Sequence, residues 1–197
     1  MSAPRIVLAS ASPRRKEILS GLGIAFEIRP THVNEEALDV DDDERFVEAV
    51  ARLKLRHALS GELQDGQYVL AADTIVCIGG DRLGKPADEE EALAMLQRLS
   101  GRDHLVRTSV ALGREGEGEL GLRTVVTRVW FRPASDDELR RYVALGESYD
   151  KAGAYGIQGA ASGFVRKIEG SYSNVVGLPA AEVVELFIEH QALERWP

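Results

Sequence analysis

Apolar residues change their spacing along this chain, and each change predicts an element. Ile6 to Ala9 is a short continuous run that reads as a buried strand. Ser12 then stands as an N-cap with Pro13 at the first helical position, where a missing N–H costs nothing. The helix that follows places Ile18, Leu19 and Leu22 on one face and ends at Gly21 or Gly23. Ile24, Phe26 and Ile28 alternate with other residues, the period of a half-buried strand, and Pro30 stops it. A polar, acidic loop leads to a helix over about 44–59, whose inward stripe of Val47, Val50, Ala51 and Ala58 also carries Lys54.

The run Tyr68 to Ile78 is the most apolar in the chain, and its unbroken hydrophobicity predicts a strand covered on both faces. Gly79-Gly80-Asp81 makes a hairpin turn. A helix capped by Asp88, with Glu91 three residues on, buries Leu93, Leu96 and Leu99. Strands around His104 to Leu112 and Arg123 to Arg132 form a ribbon, with Gly113 to Gly118 as its tip. Val125, Val129 and Phe131 are read as one face, with Thr127 among the residues alternating with them. Ser135 and Glu138 form a capping box for a helix that buries Leu139, Tyr142 and Val143 and stops at Gly146. A glycine-rich loop over 150–159, a short strand over 163–168, a polar loop over 170–174 and a last amphipathic helix with Val183, Val184 and Phe187 complete the chain. This order predicts an α/β (or α+β) fold with a mixed twisted sheet flanked by helices, in one domain over residues 1–197.

Composition narrows what such a domain does. The formal net charge of -8 speaks against a nucleic-acid partner, which calls for a basic face. One cysteine excludes a disulfide framework and a cysteine-based zinc site, and four scattered histidines without HExxH argue against a zinc enzyme. With no signal peptide and no apolar run long enough to span a bilayer, a cytoplasmic protein without a membrane partner is expected.

Against that acidic background a few polar residues stand out. Ser10, Ser12, Arg14 and Arg15 surround the point where the first strand gives way to the first helix. Backbone N–H groups, hydroxyls and guanidiniums would converge there, a place to hold a multiply charged anion. Capped-helix packing with solvated arginines is the plainer alternative, and the glycines and Lys-Ser/Thr ending of a P-loop are absent. Lys54 either snorkels to the edge of its stripe or points into a cleft that holds a negative ligand. Asp73, inside an apolar strand, must be paired, bound to metal, or set at a cleft, because an unpaired buried carboxylate costs several kcal/mol. Lys85 sits in a tight loop, Gly84-Lys85-Pro86.

Ser10-Ala11-Ser12-Pro13-Arg14-Arg15, Ala72-Asp73-Thr74, Gly84-Lys85-Pro86, Asp150-Lys151-Ala152-Gly153-Ala154-Tyr155-Gly156-Ile157-Gln158-Gly159 and Asn174-Val175-Val176-Gly177-Leu178-Pro179 together resemble the signature blocks of the Maf family of house-cleaning nucleotide pyrophosphatases, once called septum-formation proteins. The match runs in order through essentially the whole chain. Each block is weak alone, whereas five in order are highly specific. The resemblance implies two lobes around a deep cleft in a fold related to the inosine-triphosphate pyrophosphatases. It also implies cleavage of a nucleoside triphosphate to the monophosphate and pyrophosphate with a divalent metal, magnesium or manganese, and a link to arrest of cell division. The Ser-Pro-Arg-Arg form, Asp-Thr and Tyr-Gly-Ile-Gln-Gly are similar to the subgroup acting on dTTP and UTP rather than on 7-methyl-GTP.

Carried over residue by residue, Asp73 matches the proton acceptor. Arg14, Thr74 and Gln158 match positions that go with base selectivity, and Ser10, Arg15, Glu35, Lys54 and Lys85 match the remaining polar residues of the cleft. Asn34 departs from the pattern, since many members have an acid there; if both acids help hold metal, this chain has one ligand fewer, and either Glu35 carries more of the metal binding or water substitutes. On this reading Arg14, Arg15, Lys54 and Lys85 hold phosphates, Ser10 adds a donor, Glu35 and Asp73 hold the metal, and Asp73 also activates water. A homodimer is the assembly expected. A nucleotide-binding regulator without turnover, a 7-methyl-GTP pyrophosphatase and a terminal phosphatase are the competing expectations.

Overall fold

The structure is a computed structural model that describes residues 5–35, 38–193 and 195–197. Its elements follow the pattern closely: β1 (Ile6–Leu8), α1 (Pro13–Gly21), β2 (Phe26–Ile28), α2 (Asp43–Leu59), β3 (Tyr68–Ile78), β4 (Asp81–Leu83) and α3 (Glu89–Leu99) in the first half. The ribbon β5 (Asp103–Arg114) and β6 (Gly118–Phe131), α4 (Asp136–Val143), β7 (Val165–Glu169), α5 (Tyr172–Val176) and α6 (Ala180–Glu189) follow. The strands form one mixed sheet in the order β2-β1-β3-β5-β6-β7, with β4 paired to β3 off that path. β1 lies parallel to both β2 and β3, with Val7 opposite Val69 and Leu8 opposite Leu70, whereas β3/β4 and β6/β7 are antiparallel.

The chain forms two compact units. The first comprises the residues up to Asp73, Thr108–Val125 and those from Gly177 onward. Here Ile6, Leu8, Tyr68, Leu70 and Ala72 face α1 and α6 through Leu19, Val183, Leu186 and Phe187. The alternate residues Val7, Val69 and Ala71 face α2 through Ala51 and Leu55. Covering on both faces is why β1 and β3 are continuous apolar runs. The second unit comprises Thr74–Arg107 and Val126–Val176. Its core buries Leu93, Leu96 and Leu99 of α3 and Leu139, Tyr142 and Val143 of α4. Phe131 meets the rings of Tyr155 and His104 edge-on at 4.8 and 5.0 Å.

The helix caps fall where the side chains dictate. Ser12, Asp42 and Asp88 each accept from the backbone N–H three residues on, and Ser135 with Glu138 closes a reciprocal box. Four local expectations are corrected. The ribbon tip is narrower than Gly113 to Gly118: β5 continues to Arg114, and Gly113 lies inside the strand, where the Gly118 carbonyl, Leu59 and Leu55 leave no room for a Cβ. Thr127 does not alternate with Val125, Val129 and Phe131 but shares their face, two residues from its neighbours on that face, and is fully buried. Gly163 and Phe164 belong to a 3₁₀ turn, Ala160–Phe164, so the strand starts at Val165. The polar stretch 170–174 is no loop throughout, since α5 begins at Tyr172.

That last helix is held by tertiary hydrogen bonds rather than by propensity. The Thr127 hydroxyl accepts from Ser171 N–H (3.0 Å) and from Asn174 Nδ2 (2.9 Å), and donates to the Ser171 carbonyl (3.1 Å). Asn174 Nδ2 also donates to the Val106 carbonyl at 3.0 Å. Asn174 is fully buried, and its amide ties α5 to Val106 and Thr127.

Candidate active site

Period-two alternation carries Asp73 to its place. Val69, Ala71 and Asp73 lie on the face of β3 that packs against α2, and Lys54 projects from the α2 stripe between Val50, Ala51 and Leu55. The two meet: Lys54 Nζ donates to Asp73 Oδ1 at 2.7 Å and lies 2.7 Å from Glu35 Oε1. The side chains of Lys54 and Asp73 are 14% and 10% exposed against 45% for Glu35, so Glu35 is the solvent-facing member of the trio. Burial pushes the Asp73 carboxyl above its ordinary value. Lys54 and then Arg15 pull it back down, and Glu35 adds a smaller push upward.

Arg15 serves this site from behind. Its Nε donates to the Gly177 carbonyl at 2.8 Å, and its Nη1 donates to the Ala72 carbonyl at 2.9 Å and to Ser10 Oγ at 3.3 Å. Burial lowers the guanidinium's pKa, which Asp73 partly offsets. Arg15 therefore ties the end of β1, the residue before Asp73 and the turn at Gly177 into one frame. Ser10 Oγ also accepts from Ser12 N–H at 3.2 Å. Arg14, its neighbour on the first turn of α1, is half-buried. Ser10, Arg14, Arg15, Glu35, Lys54 and Asp73 thus all belong to the first unit.

Thr74, Lys85 and Gln158 belong to the second unit. Thr74 follows Asp73 in β3, so its side chain leaves the opposite face of the strand. Lys85 is exposed in its loop, which is bonded to the glycine-rich segment by Gly153 N–H donating to the Gly84 carbonyl at 3.0 Å. Gln158 is exposed, next to the buried Ile157, in a tight turn closed by Gly159 N–H on the Gly156 carbonyl at 3.1 Å.

The glycines of that segment admit the protein's own side chains. A Cβ on Gly153, whose φ is +70°, would stand 3.1 Å from Val76, and one on Gly156 would stand 2.6 Å from Lys151 Cε. On Gly159 it would overlap the Glu147 carboxylate. Glu147 and the role of Lys151 are invisible to sequence pattern; the paired glycines around Gln158 were the one signal that something passes close.

For a divalent metal the chemistry of the donors fits. Two carboxylates, Glu35 and Asp73, converge on one ammonium, and hard oxygen donors in that number are what magnesium takes alongside phosphate and water. Among the described residues no group of three or more metal-ligating His, Cys, Asp or Glu side chains is gathered. Nor, among them, is any helix long and apolar enough to cross a membrane.

The fold and this lysine-bridged acid pair define an α/β protein with a buried, charge-paired carboxylate at the edge of its core. The chain belongs to the family of Maf-like proteins, whose model matches residues 5–190. It is 49% identical over 186 residues to a dTTP/UTP pyrophosphatase of Geobacter sp. (strain M21), covering 94% of this chain and 95% of that one. It is 47% identical to a dTTP/UTP pyrophosphatase of Desulfotalea psychrophila over 95% of each chain. A similar relative in Hahella chejuensis, also a dTTP/UTP pyrophosphatase, is 48% identical over 94% of this chain and 92% of its own.

Proposed function

We propose that this protein hydrolyses dTTP and UTP to the monophosphate and pyrophosphate by attack of water at the α-phosphorus. The observation that carries the reading is the Lys54–Asp73 pair, a buried carboxylate held 2.7 Å from an ammonium and raised by burial above its ordinary value. The names of its relatives, at nearly half identity over nearly the full chain, support the substrate class.

In this reading Asp73 accepts the proton of the attacking water, and Lys54 holds that carboxylate ionised and aimed. Arg14 and Lys85 neutralise phosphate oxygens, the group with the most charge to offset in the transition state. Arg15 bonds the Ala72 carbonyl and Ser10 Oγ, and Ser10 Oγ accepts from Ser12 N–H at the α1 entrance, so their part is to fix Asp73 and the first turn of α1 in place. A divalent cation held by Glu35 and Asp73 would supply Lewis-acid neutralisation of the phosphates. Thr74, Gln158 and Arg14 read the pyrimidine. A glutamine amide has both the donor and the acceptor that the O4/N3–H edge requires. Cytoplasmic house-cleaning of excess or non-standard nucleotides is the role this activity serves, and a homodimer is the assembly to look for.

The test is incubation of the purified protein with magnesium and a panel of nucleoside triphosphates, with the products identified. Pyrophosphate from dTTP and UTP supports the reading. Orthophosphate as product, a preference for 7-methyl-GTP, or tight binding without turnover would each replace it with the corresponding alternative.

A further inference from the structure

The turn that presents Gln158 is gripped at both corners by side chains that sequence patterns do not single out. Ile157 is buried and anchors the turn, while Gln158 points to solvent. At the leading corner the stem of Lys151 lies across Gly156, leaving no room for a Cβ there. Its Nζ is held by the Glu147 carbonyl and by Asp150 Oδ1, both at 2.5 Å. The Tyr142 hydroxyl accepts from Gly156 N–H at 3.4 Å. At the trailing corner the Glu147 carboxylate lies against Gly159 and accepts from Ala160 N–H at 3.2 Å, the first residue of the 3₁₀ turn. Glu147 thus reaches both ends of the turn: its carbonyl fixes the lysine that pins Gly156, and its carboxylate pins Gly159.

We infer that Glu147 is a positioning residue for base selectivity, acting through the Gly156–Gly159 turn to hold Gln158 in the geometry that reads the pyrimidine. The inference rests on the proposed role of Gln158. A side-chain amide discriminates only if its donor and acceptor are presented at a fixed angle, because a mobile amide satisfies many hydrogen-bonding edges equally. Fixing the two flanking glycines, whose backbones have no Cβ to restrict them, removes that freedom. The carboxylate's acceptor oxygen is what matters here rather than its charge, since the lysine takes the Glu147 backbone carbonyl.

The experiment compares kcat/KM for UTP and for ATP in the full-length protein and in Glu147→Ala, Glu147→Gln, Gln158→Ala and the Glu147→Ala/Gln158→Ala double variant. Glu147→Ala is expected to lower the UTP-over-ATP ratio about tenfold, the scale of one misplaced hydrogen bond, through KM for UTP rather than kcat. Glu147→Gln, which keeps an acceptor oxygen on Ala160 N–H, restores the ratio. In the Gln158→Ala background the Glu147→Ala change has no further effect. Should Glu147→Ala fold poorly, Gly159→Ala, which drives a methyl into the space of the carboxylate, is expected to give the same loss of ratio. An unchanged ratio in Glu147→Ala and Gly159→Ala, with Gln158→Ala strongly shifted, overturns the inference alone. An unchanged ratio in Gln158→Ala overturns the reading of Gln158, and the inference with it.

Discussion

Lys54 Nζ stands 2.7 Å from Asp73 Oδ1 and equally close to Glu35 Oε1, so one ammonium holds two carboxylates that would otherwise repel each other. The lysine is as much a part of the acid site as the acids are. Without it Asp73 would be a buried charge that has lost its hydrogen-bonded partner and keeps only the more distant pull of Arg15.

Lys54→Met is therefore expected to cost about 3–5 kcal/mol, the range for breaking a buried pair from one side. Most of that loss should be recovered in Lys54→Met/Asp73→Asn, where no charge is stranded. Urea unfolding of the single and double variants measures this. Equal destabilisation in both would mean that the pair contributes packing rather than charge balance.

Arg15→Lys keeps the charge but loses the fork that spans the Gly177 and Ala72 carbonyls and Ser10 Oγ. It is expected to destabilise by about 2 kcal/mol, roughly one hydrogen bond to a charged group. Because Ala72 precedes Asp73, kcat should fall more than KM rises. Steady-state kinetics on UTP beside an unfolding curve separate the two effects.

His104 gives the fold a pH dependence of its own. It is buried against Phe131, with Nε2 2.7 Å from the Tyr155 hydroxyl, and burial lowers its pKa from 6.5 to about 4, the neighbouring Asp103 opposing in part. Between those values the unfolded chain binds a proton that the folded one does not. Stability is thus fully present above pH 6.5 and is lost as the pH falls toward about 4, by on the order of 3 kcal/mol at 1.36 kcal/mol per pKa unit. His104→Gln, which does not titrate, should flatten that part of a stability–pH profile. A profile as steep as the parent's would exclude His104 as its source.

Thr127→Val should remove the acceptor shared by Ser171 N–H and Asn174 Nδ2. The two donors then lose one buried partner in common, at a cost of about 3 kcal/mol. Thermal unfolding reads it, and a variant as stable as the parent would show that α5 is held otherwise.

How much of this was legible differs by range. The α2 stripe and the β3 run marked Lys54 and Asp73 as misfits in apolar surroundings, because 3.6- and 2-residue periods are local and survive in the sequence. Their pairing was not legible, being a contact between elements. Arg15 reads locally as an anion-binding side chain on a helix N-terminus. Its partners, however, include a serine five residues away and carbonyls 57 and 162 residues away, which no local pattern encodes. The glycines over 153–159 announce a close approach, but what approaches is Val76, Lys151 and Glu147, each set there by packing of the second unit. The helix α5 was hidden because polar Ser171, Ser173 and Asn174 carry no periodic signal, and it is the buried Thr127 hydroxyl that holds it.

The central claim, that Asp73 activates water for attack at the α-phosphorus, is tested most directly by hydrolysing UTP in water enriched in the heavy oxygen isotope, with the parent protein and with Asp73→Asn. The account predicts label in UMP and none in pyrophosphate, with turnover about a hundred- to ten-thousand-fold lower in Asp73→Asn. Label in pyrophosphate, or an Asp73→Asn variant that turns over at the parent rate, would contradict it.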